Sequence, residues 1–192
     1  MSDDHKRQRI LDAATAVFAE RDFHRVLVSE VAARAGVGKG TVYLYFPTKD
    51  DLHRAALEGS LQRLADEIEE RAASDAAVDR VLQDVVGAIL GFFWRRPHLL
   101  TLVQRYEQQQ GRRAVERRQR GRRAIAGVLG RHRLGGTGAA REMAVAFLLG
   151  LSRAAILEHG THDRPETVAA RVVRLFLHGV AGANGSRQQG AA

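Results

Sequence analysis

Apolar residues recur at helical spacing along almost the whole of this chain. Ile10, Leu11, Ala14, Val17 and Phe18 fall on one face of a first helix. Val28, Val31, Ala32 and Ala35 form the inward face of a short second helix, from about Val28 to Ala35. Gly36-Val37-Gly38 interrupts the pattern, and a third short helix is predicted over about Lys39 to Phe46. Pro47-Thr48 closes that group. Thr48 with Asp51 has the spacing of a capping box, Asp replacing the usual Glu, so a fourth helix starts there and runs to about Ala73.

The stripe Val78, Val81, Leu82, Val85, Val86, Ile89 and Phe93 predicts a fifth helix ending near Arg96-Pro97. Further helices are expected over about His98–Tyr106, Arg112–Gly130, Ala139–Glu158 and Pro165–Val180. Gly135-Gly136-Thr137-Gly138 reads as a flexible joint, and the tail Gly182–Ala192 as disordered. The three prolines, at 47, 97 and 165, all suit helix boundaries, because proline lacks an amide donor and clashes inside a helix. No repeat is visible. The expectation is an all-α fold.

Composition narrows the class. At 192 residues and 45% hydrophobic, the chain can bury a sizeable core. Its longest apolar run, Met143 to Leu151, falls short of the roughly 20 residues that span a bilayer, so no membrane partner is expected. The N-terminus has no hydrophobic signal segment, which makes a soluble cytoplasmic protein the simplest reading. The absence of cysteine excludes disulfides, thiolate metal sites and thiol redox sensing. The net charge of +8 invites a polyanionic partner. However, most of it sits in residues 105–133, where ten arginines face only Glu107 and Glu116. Lys6, Lys39 and Lys49 are the only lysines, an arginine bias that suggests a GC-rich genome, so net charge alone says little about recognition.

A short helix, a glycine turn and a second short helix is the helix-turn-helix layout, whose second helix enters the DNA major groove. Particular residues strengthen this. Arg9-Ile10-Leu11-Asp12-Ala13-Ala14, Phe18-Ala19-Glu20-Arg21, and the run from Val31 to Leu52 containing Ala35-Gly36-Val37-Gly38-Lys39-Gly40-Thr41-Val42-Tyr43-Leu44-Tyr45-Phe46 resemble the N-terminal domain of the TetR/AcrR family of repressors. The likeness covers about residues 6–55. It implies an N-terminal three-helix DNA-binding domain over 4–64, with the helix-turn-helix at about 27–46. A helical bundle over 65–181 would then serve ligand binding and dimerisation, with 182–192 as tail.

The resemblance implies that Lys39, Gly40, Thr41, Tyr43 and Leu44 line the exposed face of the recognition helix. Lys39 can reach a phosphate or a guanine edge, Thr41 a phosphate, a base or a thymine methyl, and Gly40 permits close backbone approach. Tyr43 and Tyr45 offer phenolic donors. Lys49, in the first turn of the fourth helix, sits where free amides already favour a phosphate. Val42 and Phe46 are expected to pack inward. Three positions depart from the family pattern. Asp22 replaces a common glycine, so a different turn is expected. Leu27 replaces a capping threonine and Gly38 a serine, which predicts weaker phosphate anchoring.

One short recognition helix makes few contacts, so a homodimer on a palindromic double-stranded operator is expected. Met143 to Leu151 is apolar all round, and Val168, Val172, Leu175, Phe176 and Val180 give the last helix a stripe. The resemblance implies a four-helix interface, with Met143, Phe147, Gly150, Leu151, Ala154, Val172, Leu175 and Phe176 as its candidates. It also implies an effector pocket within residues 78–130. Candidates there are the aromatics Phe92, Phe93 and Trp94 with the polar Gln104, Arg105 and Tyr106. Three readings stay open for Arg112, Arg113, Arg117, Arg118, Arg120, Arg122 and Arg123. They form a solvated helix, a subsite for an anionic effector such as an acyl-coenzyme A, or an added nonspecific DNA contact.

Other functions fit less well. Gly36 to Thr41 superficially resembles a phosphate-binding loop, but that motif needs Gly at 33 and Ser or Thr at 40, where Ala33 and Gly40 stand. No other enzyme motif is present and no cofactor is implied. Glu158, His159, His162 and Asp163 could mark a metal-responsive regulator, and an effector-independent regulator is a further alternative. The reading reached from sequence is a ligand-responsive repressor.

Overall fold

The computed structural model describes residues 3–96, 112–158 and 163–185, and the side chains of these except at 112–114 and 180–185. Among the described residues are eight α-helices and one 3-10 turn, with no strand. The chain divides into two compact units, Met1–Arg63 and Leu64–Ala192, the division falling within the fourth helix.

The first unit contains α1 (Asp3–Glu20), a 3-10 turn (Phe23–Arg25), α2 (Val28–Ala35), α3 (Lys39–Tyr45) and the first part of α4 (Lys49–Ala72). Its core takes Ile10, Ala14 and Val17 from α1 and Val28, Val31, Ala32 and Ala35 from α2, as the periodicity selects, together with Val42, Phe46, Leu52 and Ala56, while Leu11 and Phe18 are only partly buried against it. Each large aliphatic removed from water here contributes roughly 1.5–3 kcal/mol before entropy is counted. α3 stops at Tyr45 because Phe46, preceding Pro47, is pushed into extended backbone (φ −136°, ψ 94°). At the start of α4 the Asp51 amide donates to Thr48 Oγ1 at 3.0 Å. The Asp51 carboxylate accepts from the Thr48 hydroxyl (2.7 Å) rather than from the cap's own amide. Aspartate, one methylene shorter than glutamate, completes half of the expected box.

The second unit holds the rest of α4, α5 (Val78–Trp94), α6 (Arg112–Arg131), α7 (Ala139–Leu157) and α8 (Pro165–Gly185). α5 buries Val81, Leu82, Val85, Val86, Ile89 and Leu90, and packs chiefly on α8, whose Val168, Ala169, Val172, Val173 and Phe176 are buried. Arginines tie α4 to its neighbours. Arg120 Nη2 lies 2.9 Å from Asp66 Oδ1, and Arg120 Nε lies 2.9 Å from Glu69 Oε1. Arg71 pairs with Glu67 at 2.6 Å and donates to the Asp84 carbonyl at 3.2 Å. Arg131 donates to the Ala72 carbonyl at the end of α4, where a cation suits the helix dipole.

Gly135 and Gly136, in the segment expected as a flexible joint, adopt left-handed backbone with φ of 71° and 70°. A Cβ on Gly135 would stand 2.9 Å from Ala144 Cβ, and Arg141 Nη2 donates to the Gly136 carbonyl at 2.6 Å. The last helix also continues to Gly185, so residues 182–185 are helical. The helix expected over His98–Tyr106 and the tail 186–192 lie outside the described residues. No helix among the described residues is long and apolar enough to cross a membrane.

Candidate functional site

The helix-turn-helix is held in shape by contacts at both ends of α2. Leu27, at its start, has extended backbone (φ −98°, ψ 137°) and no side-chain acceptor, so it cannot cap as a threonine would. Glu30 supplies the reciprocal half by accepting the Leu27 amide at 3.0 Å, and it also pairs with Arg21 at 2.8 Å. The amide of Leu27, then Arg21, hold the Glu30 carboxyl below the usual carboxylate range. At the other end Gly36 is left-handed (φ 64°), its amide on Ala33 O (3.1 Å) and that of Val37 on Ala32 O (3.0 Å). Arg9 Nη2 reaches across from α1 to the Ala35 carbonyl at 2.5 Å, and any Cβ on Gly36 would lie 2.8 Å from that nitrogen. Asp22 adopts φ −58° and ψ 145°, open to any residue, so it leads into the 3-10 turn without needing glycine.

On α3, Val42 and Phe46 are buried while Lys39, Gly40, Tyr43 and Leu44 are exposed and Thr41 is half-buried. Leu44 is 84% exposed, far more than Tyr43 at 39%. Lys39 Nζ stands 5.9 Å from the Tyr43 ring centroid, so a cation and a phenol share one flank. Gly38 starts the helix without a side-chain cap. Lys49 is half-buried with Nζ 4.4 Å from the Phe23 ring centroid. Tyr45 departs from its expected role: it is half-buried against the core, and its hydroxyl donates to the Asp3 carboxylate. The phenol expected to meet a phosphate is engaged within the unit. Arg9 was missed as a structural residue. It lies 26 positions from its acceptor, and no local pattern marks that pair.

Residues 10–56 match the family described as bacterial regulatory proteins, tetR family. Similar curated proteins include the fatty acid metabolism regulator protein of Bacillus subtilis, 31% identical over 128 residues, covering 65% of this chain and 62% of the relative. The transcriptional repressor KstR of Mycobacterium tuberculosis is 33% identical over 100 residues, 52% of this chain and 46% of that protein. Residues 10–56 carry a TetR-family N-terminal domain. The chain's matches thus span from under half to about three fifths of these curated relatives. Solved structures agree on the fold. A TetR-family regulator from Mesorhizobium loti superposes with a TM-score of 0.72 at 22% identity, over 93% of this chain and 98% of that one. FadR of Bacillus subtilis in complex with stearoyl-CoA gives 0.64 at 22% identity, over 90% and 98%.

The remaining residues singled out by the family resemblance lie in the second unit. On α7, Met143, Phe147, Gly150 and Ala154 are exposed and Leu151 is half-buried, while Ala144, Val145, Leu148 and Ser152 face inward. The exposed series continues at the same spacing to Leu157, which the sequence-based selection omitted. On α8, Leu175 is 63% exposed, whereas Val172 and Phe176 are buried within the protomer. Those two correct the expectation that they form part of an outer face: Phe176 lies beneath Phe147, ring centroids 6.1 Å apart.

Phe92 is buried and Phe93 and Trp94 half-buried; Gln104, Arg105 and Tyr106 lie outside the described residues. One cavity of about 390 Å³ is lined by Gln119, Arg122, Arg123, Ala126, Glu142 and Val145. A second, of about 170 Å³, lies among charged residues including Glu67, Arg71, Asp84 and Arg95. Phe92, Phe93 and Trp94 line neither. Within the arginine-rich helix, Arg120 bridges to Asp66 and Glu69 of α4 with its side chain 32% exposed, and Arg117 is buried. Arg118 and Arg123 are exposed, and the side chains of Arg112 and Arg113 are outside the description. His159 and His162 of the metal alternative also lie outside it.

Proposed function

We propose that this chain is a DNA-binding transcriptional repressor that works in the cytoplasm as a homodimer on a palindromic operator and responds to a small-molecule effector. The observation that carries this is α3, which buries Val42 and Phe46 and presents Lys39, Tyr43 and Leu44 outward behind a left-handed glycine turn. Residues 4–64 would form the reading head, and Lys39, Gly40, Thr41, Tyr43, Leu44 and Lys49 its DNA-facing set. The exposed apolar row Met143, Phe147, Gly150, Ala154 and Leu157, with Leu175 beside it, supports pairing of two copies through α7 and α8. The body, residues 65–181, would hold the effector. The arginine-lined cavity of about 390 Å³ is of a size that accepts organic ligands and suits one with an anionic group. A relative of the same fold is described with stearoyl-CoA, which makes long-chain acyl-CoA thioesters the first effectors to screen.

The test is footprinting of the purified protein on the DNA upstream of its own gene and on genome-wide bound fragments, across a salt series, with Tyr43→Ala as control. A protected palindrome that weakens with salt and is lost in the variant is expected. Protection nowhere in the genome overturns the proposal. An effector that binds must also shift operator affinity, since the coupling is reciprocal.

A further inference from the structure

We propose that Leu44 reads the 5-methyl group of a thymine in each operator half-site, making the centre of the recognition surface an apolar ridge. This rests on the DNA-binding reading above and adds the chemistry of the base that is read. Leu44 lies two residues from the buried Val42, about 200° around the helix, so it points away from the core that Val42 enters. At 84% exposure it gains almost nothing from the free protein. A leucine has no donor or acceptor and cannot bond a phosphate or a polar base edge. The only apolar group that the major groove offers in unmodified DNA is the thymine methyl.

Gly40 supports the same reading. It lies four residues before Leu44 and therefore on the same face. Among the described residues, a Cβ added there would meet nothing within 4 Å, not even the Leu44 side chain. The outermost strip of α3 is therefore a bare backbone at Gly40 followed by an aliphatic side chain at Leu44. The polar groups, Lys39 with Tyr43 on one side and Thr41 on the other, flank that strip. Flanking donors position the helix on phosphates and base edges, and the strip between them meets the groove floor.

The experiment uses the full chain and its footprinted operator. Each thymine in the protected half-sites is replaced in turn by deoxyuridine, which removes one methyl and leaves every hydrogen-bonding group in place. For the wild type, one symmetry-related pair of replacements should weaken binding about four-fold per half-site, roughly fifteen-fold for both. Leu44→Ala should bind the thymine operator correspondingly more weakly and be indifferent to uracil at that position. Its melting temperature should match the wild type, because an exposed side chain contributes little to the fold. Wild-type binding unchanged by uracil at every position overturns the inference, as does a Leu44→Ala protein with undiminished uracil sensitivity. Absence of any operator would count instead against the DNA-binding reading itself.

Discussion

The Tyr45 hydroxyl donates to the carboxylate of Asp3, fastening the end of α3 to the first turn of α1. Tyr45 and Tyr43, two residues apart, therefore have different work. Tyr43→Ala should lower operator affinity at least ten-fold. Tyr45→Phe should change affinity by no more than about two-fold while lowering the melting temperature of the head. The bond to Asp3, and then burial, raise the Tyr45 phenol above its ordinary value. Its stabilising share is complete below about pH 10 and is lost as pH rises through the folded-state value. Spectrophotometric titration of the folded wild type should show a late-ionising tyrosine that is missing from Tyr45→Phe.

Gly40 separates stability from recognition. Among the described residues, nothing occupies the space that a Cβ would enter there. Alanine is the better helix former, by roughly 0.5–1 kcal/mol. Gly40→Ala should raise the unfolding free energy by about that amount and weaken operator binding. Denaturant unfolding and a binding titration on the same preparation check both, and tighter DNA binding would contradict the assignment of this face.

His53 makes the head sensitive to mild acid. Its ring centroid lies 4.5 Å from that of Phe18 and 4.9 Å from that of Phe23, and burial among them lowers its pKa despite Asp50 nearby. The unfolded chain then takes up the proton more readily than the folded one. Stability is complete above about pH 6.5 and falls as pH drops through the folded-state value. Melting temperatures between pH 5 and 7.5 should show this slope, and His53→Gln should flatten it.

Arg120 is expected to behave unlike its neighbours in the arginine-rich helix. Glu69 first, and Asp66 with it, push its guanidinium above the ordinary value. Arg120→Gln should speed hydrogen exchange in α6 and in the facing turn of α4, more so at low salt. Arg123→Gln, at an exposed position, should leave exchange unchanged. Equal effects from both would show that the clamp contributes nothing.

Leu175→Glu tests the pairing face. At 63% exposure the change is tolerated by a lone protomer, but it places a charge in the centre of the proposed apolar contact. Sedimentation at micromolar concentration should show the wild type as a dimer and the variant as a monomer with at least ten-fold weaker operator binding. A variant that remains a dimer would remove α8 from the interface.

The sequence made the apolar architecture legible because burial repeats at a fixed angle. Ile10, Ala14 and Val17 on α1 and Val28, Val31, Ala32 and Ala35 on α2 lie inside as their spacing suggested. Polar partners separated along the chain leave no such mark. Tyr45 with Asp3, Arg9 with Ala35 and Arg120 with Asp66 are 42, 26 and 54 residues apart, and no local pattern shows these partners. Periodicity also could not divide the α8 stripe into its inner and outer edges. Val172 and Phe176 went inward, and Leu175 between them stayed out.

The contact between Arg9 and the carbonyl of Ala35 bears on how portable the reading head is. The guanidinium occupies the space beside Gly36 that a side chain would otherwise fill, so the turn is a joint product of α1 and α2. Transplanting α2 and α3 alone into another scaffold would leave that carbonyl bare and the turn unbraced. A chimera that exchanges operator preference between related proteins should therefore take its boundary before Arg9, carrying the brace along with the helix that it aims.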